Sequence, residues 1–437
     1  MSSNDAKIGK NDGTTAGAVE SCRDGVLVGW AEVPGLPMVP AVVDFVIDNQ
    51  PAGSAKANLM RADLRARGIR DGFAGFQFKV PAPFLDGNTH RLVATERVSR
   101  RVLQGLSLIR DDTGRERMAR AAMFTQGAVL AHSTSDSTFL DQLHTRRRLA
   151  VFCTYTPDHL MHGQHHWMIR SLRDAGFDVL LVQGFDRNVD HGAHTTALAA
   201  AADAYIAKDN VGYDFGSWFA ALTLLGNEIG KLDELLLVND SIFGPFRNGA
   251  SLRSLIDQDP SDVLGMCDSY EHNYHLQSFF LLFRQRILRS GAVNDFASAY
   301  PFSENKRDVI REGELSLTTH LQKAGYSCAA LFAYDVMARK WLDQYEILKD
   351  AMPADAAGIL SSLAIRIRNG EPVNPCHFFW EMLINSGCPF IKRELILKNP
   401  MAVPQLNRAA GLIRSSGYPL AHIKEAAQRY GATRVLF

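Results

Sequence analysis

Glu234-Leu235-Leu236-Leu237-Val238, followed by Asn239-Asp240-Ser241 and Ile242-Phe243-Gly244-Pro245, is the stretch that decides the fold. A continuous apolar run closed by a polar cluster and Gly-Pro reads as a strand buried on both faces. It carries a carboxylate, Asp240, at its carboxyl end, and in open α/β sheets ligands bind at that edge. The alternative for Asp240, a turn residue capping a helix expected around 251–256, is weakened because Phe243-Gly244-Pro245 intervenes.

Working outward, apolar runs at 149–154, 178–183 and 204–207 join 235–238 as strands, and helical patterns at 165–175 and 215–225 have the length of crossovers. Strands alternating with helices spell βαβ units and a doubly wound, mostly parallel sheet over 149–400. Residues 17–110 read differently. Short alternating runs such as Val26-Leu27-Val28 and Val42-Val43-Asp44-Phe45 are separated by Asp24-Gly25, Asp48-Asn49 and Asp86-Gly87-Asn88, which predicts a small all-β sandwich. The expected organisation is a disordered tail over 1–16, the sandwich over 17–110, a helical linker over 111–148, the α/β domain over 149–400 and a C-terminal helical extension over 401–437.

Composition narrows the function classes. Lys+Arg and Asp+Glu both number 47, so no extended basic surface is available to wrap nucleic acid, and an anionic ligand must meet a local site. Six scattered cysteines without a C-x-x-C pair argue against a zinc module or a disulfide framework and fit a reducing compartment. No apolar stretch approaches the roughly 18 residues of a membrane span, and the polar start lacks a signal-peptide core, so a cytoplasmic protein is expected. Arg146-Arg147-Arg148 and Arg115, Arg117 and Arg120 allow peripheral contact with the inner membrane; solvated charge is the simpler reading.

Three motifs carry candidate chemistry. Asn210-Val211-Gly212-Tyr213-Asp214-Phe215-Gly216-Ser217-Trp218 follows a strand and opens a helix; Gly212 and Gly216 permit tight turning, and the helix start suits an anion. Asp214 is read equally as a helix cap or a ligand contact. Asn239-Asp240-Ser241 offers a carboxylate to a divalent cation or a sugar hydroxyl. Arg311-Glu312-Gly313-Glu314 begins a further helix, where the dipole alone favours both carboxylates and a general base is the functional reading. His272, His275 and Gln277, beside Tyr270 and Tyr274, suit contacts to an acceptor sugar. His159, His162, His165 and His166 raise a zinc-hydrolase reading, but Gly163 and the absence of an H-E-x-x-H pattern favour a loop and helix start.

The order of these pieces carries a resemblance. N-V-G-Y-D-F-G-S-W, L-L-V-N-D-S-I-F-G-P-F, N-P-C-H-F-F-W (374–380) and P-F-I-K-R-E-L (389–395) resemble the rhamnan synthesis F family, and the layout is similar to nucleotide-sugar glycosyltransferases of the GT-A fold. G-W-A-E-V-P (29–34), R-A-D-L (61–64) and G-F-Q-F-K-V-P (75–81) resemble the accessory β-sandwich found beside bacterial glycosyltransferases. The resemblance implies a GT-A-like α/β domain, preceded by a sandwich, that transfers L-rhamnose or a related hexose from a nucleotide-diphosphate donor to a lipid-linked glycan, with inversion. It implies that Thr154 and Tyr155 receive the base, that Asn210, Gly212, Asp214 and Asn239 lie against the donor, and that Asp240 takes the place of the D-x-D acid. Glu312 would be the catalytic base, His377 an additional metal or phosphate contact, and Lys392 and Arg393 the cations that neutralise the leaving diphosphate. The acidic turn departs from the pattern: it has one carboxylate, which leaves a Mg or Mn ion at Asp240 and His377 an open expectation. A non-catalytic glycan-binding protein with a degenerate transferase scaffold is the competing reading.

Overall fold

The computed structural model describes residues 16–432 except 24, 37–38, 82–83, 86, 111–128, 133–146, 301–302 and 352–353. The tail expected over 1–16, apart from Ala16, and most of the linker expected over 111–148 lie outside the described residues. The chain divides into two units, Met1–Ala121 and Ala122–Phe437.

The first unit contains strands β1 (Gly17–Arg23), β2 (Val26–Ala31), β3 (Ala41–Ile47), β4 (Gln50–Ala57), β5 (Gly75–Lys79), β6 (Thr89–Glu96), β7 (Gln104–Gly105) and β8 (Leu108–Arg110). They form two four-stranded sheets, ordered β5-β2-β1-β7 and β4-β3-β6-β8. Alternation decides which side chains turn inward: Ala41, Val43, Phe45 and Ile47 of β3 are buried and share one core with Leu27, Phe76 and Phe78 of the other sheet. Phe45 and Phe78 stack across that core with ring centroids 4.1 Å apart.

The second unit is mixed α/β. Its strands are β9 (Val129–His132), β10 (Arg148–Tyr155), β11 (Asp178–Phe185), β12 (Ala204–Asp209), β13 (Glu234–Asn239), β14 (Ile242–Phe243), β15 (Val263–Ser269), β16 (His275–Leu276), β17 (Phe280–Arg284), β18 (Cys328–Phe332) and β19 (Ile391–Lys392). The large sheet runs β16-β15-β17-β13-β10-β11-β12-β9, with β18 beside β15. β13, β10, β11 and β12 are mutually parallel, linked through helices Gly163–Asp174, Thr195–Ala201 and Tyr213–Leu225. Every residue of β13 is buried, as its unbroken apolar run requires.

In the large sheet β10, β11, β12, β13, β15 and β18 run in one direction, and β9, β16 and β17 run against them. A buried apolar run such as that of β17 records burial but not strand direction. Two expectations need correction. The expected helical linker contributes β9, where pairing with the edge of β12 overrides the helical texture. The C-terminal residues are no separate extension: Leu406, Ile413 and Ile423 share a core with Phe243, Trp380 and Ile391.

At the amino end of β13, Glu234 accepts from Arg253 at 2.5 Å and Arg284 at 2.7 Å, and Arg148 lies 3.3 Å away. Arg147 pairs with Asp233 at 2.9 Å. These two arginines of the basic run therefore face acidic groups of their own unit, while Arg115, Arg117, Arg120 and Arg146 lie outside the described residues. Among the described residues no helix is long and apolar enough to cross a membrane.

Candidate active site

From β10 the chain builds β11 and β12 on one side, then returns to the other side of β10 to form β13. That reversal makes the carboxyl ends of β10 and β13 the switch point at which a crevice opens. Tyr155 closes β10, Asp240 follows β13, and the Tyr155 backbone N–H faces Asp240 Oδ2 at 3.4 Å. A cavity of about 660 Å³ lies there, a size suited to a small-molecule ligand. Its wall includes Tyr155, Asn210, Asp214, Asn239 and Asp240, and also His272, His275, Gln277, His377, Lys392 and Arg393.

Local sequence explains the placement. Gly212 takes a left-handed conformation (φ 78°) that ends the β12 loop and starts the helix Tyr213–Leu225. Asp214, in the first turn, makes no cap hydrogen bond; it accepts from Asn239 Nδ2 at 2.7 Å and stands 3.7 Å from Cys153 Sγ. The segment after β13 is held by the two-stranded ladder β14-β19, in which Ile242 faces Lys392 and Phe243 faces Ile391. The Arg393 backbone N–H donates to the Ser241 carbonyl at 2.8 Å, so two motifs distant in sequence are locked together.

Asp240 is the electrostatic centre. Burial alone would push its carboxyl up, but the Arg393 guanidinium and His165 outweigh burial and hold it below the usual carboxylate range. Arg393 Nη1 lies 3.0 Å from Oδ2, His165 Nε2 3.6 Å, and the Tyr430 hydroxyl 3.5 Å. The buried Asp214 moves the other way: burial and then the Asp240 charge push it up to about 6. His377 is driven down by burial and by the Lys392 charge.

Three implied residues are not on the cavity wall. Thr154 is buried beneath it, hydrogen-bonded to Gln183, because alternation along β10 turns it away from the side that Tyr155 faces. Gly212 shapes the loop without lining the cavity. Glu312 pairs with Arg311 at 3.0 Å, and its charge acts on the buried Tyr300 phenol. It is Glu314 that lines the cavity, accepting from the Ser278 backbone N–H at 3.3 Å. The reason is helical: the acidic pair sits in a π-helical turn, Ile310–Glu314, within a helical run that starts at Lys306, and residues two apart point to different sides. The pair is therefore not in a first helical turn. Gly313 is forced by packing, since a Cβ there would lie 2.9 Å from the Phe215 ring.

Sequence reading named His165 only within the histidine run, not beside Asp240, and did not single out Tyr430. His165 Nδ1 accepts from the His162 backbone N–H at 3.0 Å, which leaves Nε2 toward Asp240. His162 itself pairs with Asp158 at 2.9 Å. Among the described residues no three His, Cys, Asp or Glu side chains gather as a metal-binding group. Tyr430 arrives from the helix Leu420–Arg429, donates to the Tyr155 carbonyl at 3.0 Å and lies under the Arg393 guanidinium at 4.1 Å.

Residues 190–353 match the family described as rhamnan synthesis protein F. Virulence protein VirA of Vibrio anguillarum is 30% identical over 287 residues, an alignment covering 63% of this chain and 88% of VirA. The chain belongs to the rhamnan synthesis protein F family. A second relative, the uncharacterized protein y4gN of Sinorhizobium fredii, is 25% identical over 189 residues, 42% of this chain and 48% of y4gN. Among solved structures, the glycosyltransferase GlyE of Streptococcus pneumoniae aligns over 66% of both chains with 12% identity and a TM-score of 0.31. The match to the rhamnan synthesis protein F family includes Asp214, Asp240 and Glu314. Lys392 and Arg393 lie beyond it and join the site through the β14-β19 ladder.

Proposed function

We propose that this protein is a glycosyltransferase that moves a sugar from a nucleoside-diphosphate donor to a hydroxyl of a growing cell-surface glycan. One observation carries the reading: Asn210, Asp214, Asp240, Lys392 and Arg393, from separate segments of a rhamnan synthesis protein F chain, converge on one cavity at the sheet's switch point. Donor phosphates would face Lys392 and Arg393. The acceptor would lie toward His272, His275 and Gln277, near Glu314. Glu314 would take the proton of the acceptor hydroxyl while that oxygen bonds to the anomeric carbon and the bond from that carbon to the phosphate oxygen breaks, giving inversion. L-rhamnose on a dTDP carrier and a lipid-linked acceptor are the finer proposal. A nucleotide-release screen with dTDP-, UDP- and GDP-sugars tests it; release with one donor, accelerated by an acceptor glycan, is expected. Neither turnover nor a thermal shift with any donor would overturn the reading.

A further inference from the structure

We propose that the donor diphosphate is held by protein cations without a divalent metal ion, Arg393 occupying the position beside Asp240 where a metal would sit, with Lys392 and His377 taking the phosphate oxygens. The inference rests on the glycosyl-transfer reading and names how that site binds its leaving group.

A hard dication bridging a diphosphate takes about six oxygens, one or two of them from carboxylates and the rest from the phosphates and water, so the site turns on whether Asp240 has an oxygen to give. The turn after β13 offers one carboxylate, and its Oδ2 is already faced by the Tyr155 N–H, the Tyr430 hydroxyl, Arg393 Nη1 and His165 Nε2. Each presents positive charge or a donor, or is ringed by groups that do, so a metal arriving at that oxygen would meet repulsion. Asp214 takes the Asn239 amide N–H at 2.7 Å.

The opposite holds for an anion. Lys392 Nζ is 3.5 Å from the Ser241 hydroxyl and 4.6 Å from the centre of the Phe279 ring, with no carboxylate in ion-pair range among the described residues. His377 is only 6% exposed, yet its Nδ1 has no hydrogen-bond partner within the chain, although the residue lines the cavity. Buried polar atoms are almost always paired, so an unpaired one on a cavity-lining residue points to a partner that the chain does not supply. Lys306 and Lys398 stand on the same wall. The backbone fixes the two central cations: the β14-β19 ladder and the Arg393 N–H to Ser241 bond tie them to the Asp240 turn.

Calorimetry with UDP, dTDP, GDP and the matching monophosphates, in EDTA and in excess Mn²⁺, tests this on the full chain. At least one diphosphate should bind in EDTA with an affinity within threefold of that in Mn²⁺. Lys392→Gln and His377→Gln should each weaken that diphosphate at least tenfold and its monophosphate less than threefold, with melting temperatures confirming folded variants. Lys392→Arg, which keeps the charge, should retain binding and provides the comparison if Lys392→Gln misfolds. A tenfold or larger gain with Mn²⁺, or unchanged diphosphate binding in both Gln variants, overturns the inference and leaves the transferase reading standing. Binding of no nucleotide in either condition overturns both.

Discussion

Replacing Asp214 by Asn should make the protein more stable at pH 8 than at pH 4 relative to the native chain. The buried Asp214 carboxyl is raised from 3.8 to about 6, first by burial and then by the adjacent Asp240 charge, with Lys392 and Arg393 pulling the other way. A rise of that size is worth about 3 kcal/mol. The folded state holds this proton more tightly than the unfolded chain, so the associated stability is fully present below about pH 4 and is gone once the pH has risen past about 6. At pH 8 the native protein keeps a buried, disfavoured charge that Asn removes; at pH 4 the native side chain is already neutral. Losing an acceptor to the Asn239 amide costs about the same at both values, so the difference between the two pH values isolates the charge. For a unit the size of residues 122–437, 3 kcal/mol corresponds to roughly 4 °C in Tm. Differential scanning calorimetry of both proteins at pH 4 and pH 8 gives the comparison. A Tm difference that does not change with pH, or that favours the native protein more at pH 8, would refute the assignment of a strained carboxylate to Asp214.

Arg393→Met strands Asp240 in a buried site and should cost about 3–5 kcal/mol, read as a fall in Tm at pH 8; a loss below about 1 kcal/mol would mean that the pair is effectively solvated. Gly313→Ala places a methyl 2.9 Å from the Phe215 ring and should cost about 1–3 kcal/mol in thermal melts. Glu314→Gln should lower the transfer rate at least about 100-fold with donor affinity preserved, whereas Glu312→Gln should leave the rate nearly intact; the reverse pattern in initial-rate assays would return the base role to Glu312.

Much of the α/β framework was legible because burial on both faces writes itself as an unbroken apolar run. Glu234–Asn239 and the crossovers Gly163–Asp174 and Tyr213–Leu225 lie within a few residues of their expected places. The direction of the four strands joined by crossover helices was legible in the alternation of strands and helices, whereas the antiparallel return of β17 was not, since an apolar run looks the same whichever way it is threaded. The acidic pair shows a finer limit. Two residues apart on a helical run, Glu312 and Glu314 cannot both face one cavity, and only tertiary packing decides that it is Glu314.

The two carboxylates at the ends of β13 show why a site needs more than its motif. Glu234 and Asp240 flank the same buried strand, and both meet arginines. Glu234 binds Arg253 and Arg284 at the amino end, away from the switch point, and its role is to close that end of the sheet. Asp240 stands where strand order reverses, and its partners come from far along the chain: His165 from the first crossover, Arg393 from the start of the helix that follows β19 and Tyr430 from the C-terminal helices. None of these three contacts has a sequence period, because each is created by tertiary packing around a turn whose geometry Gly244 permits; a Cβ there would lie 2.3 Å from the Pro389 carbonyl. The motif supplies the acid, and long-range packing sets its charge state and places Lys392 and His377 on the same cavity wall.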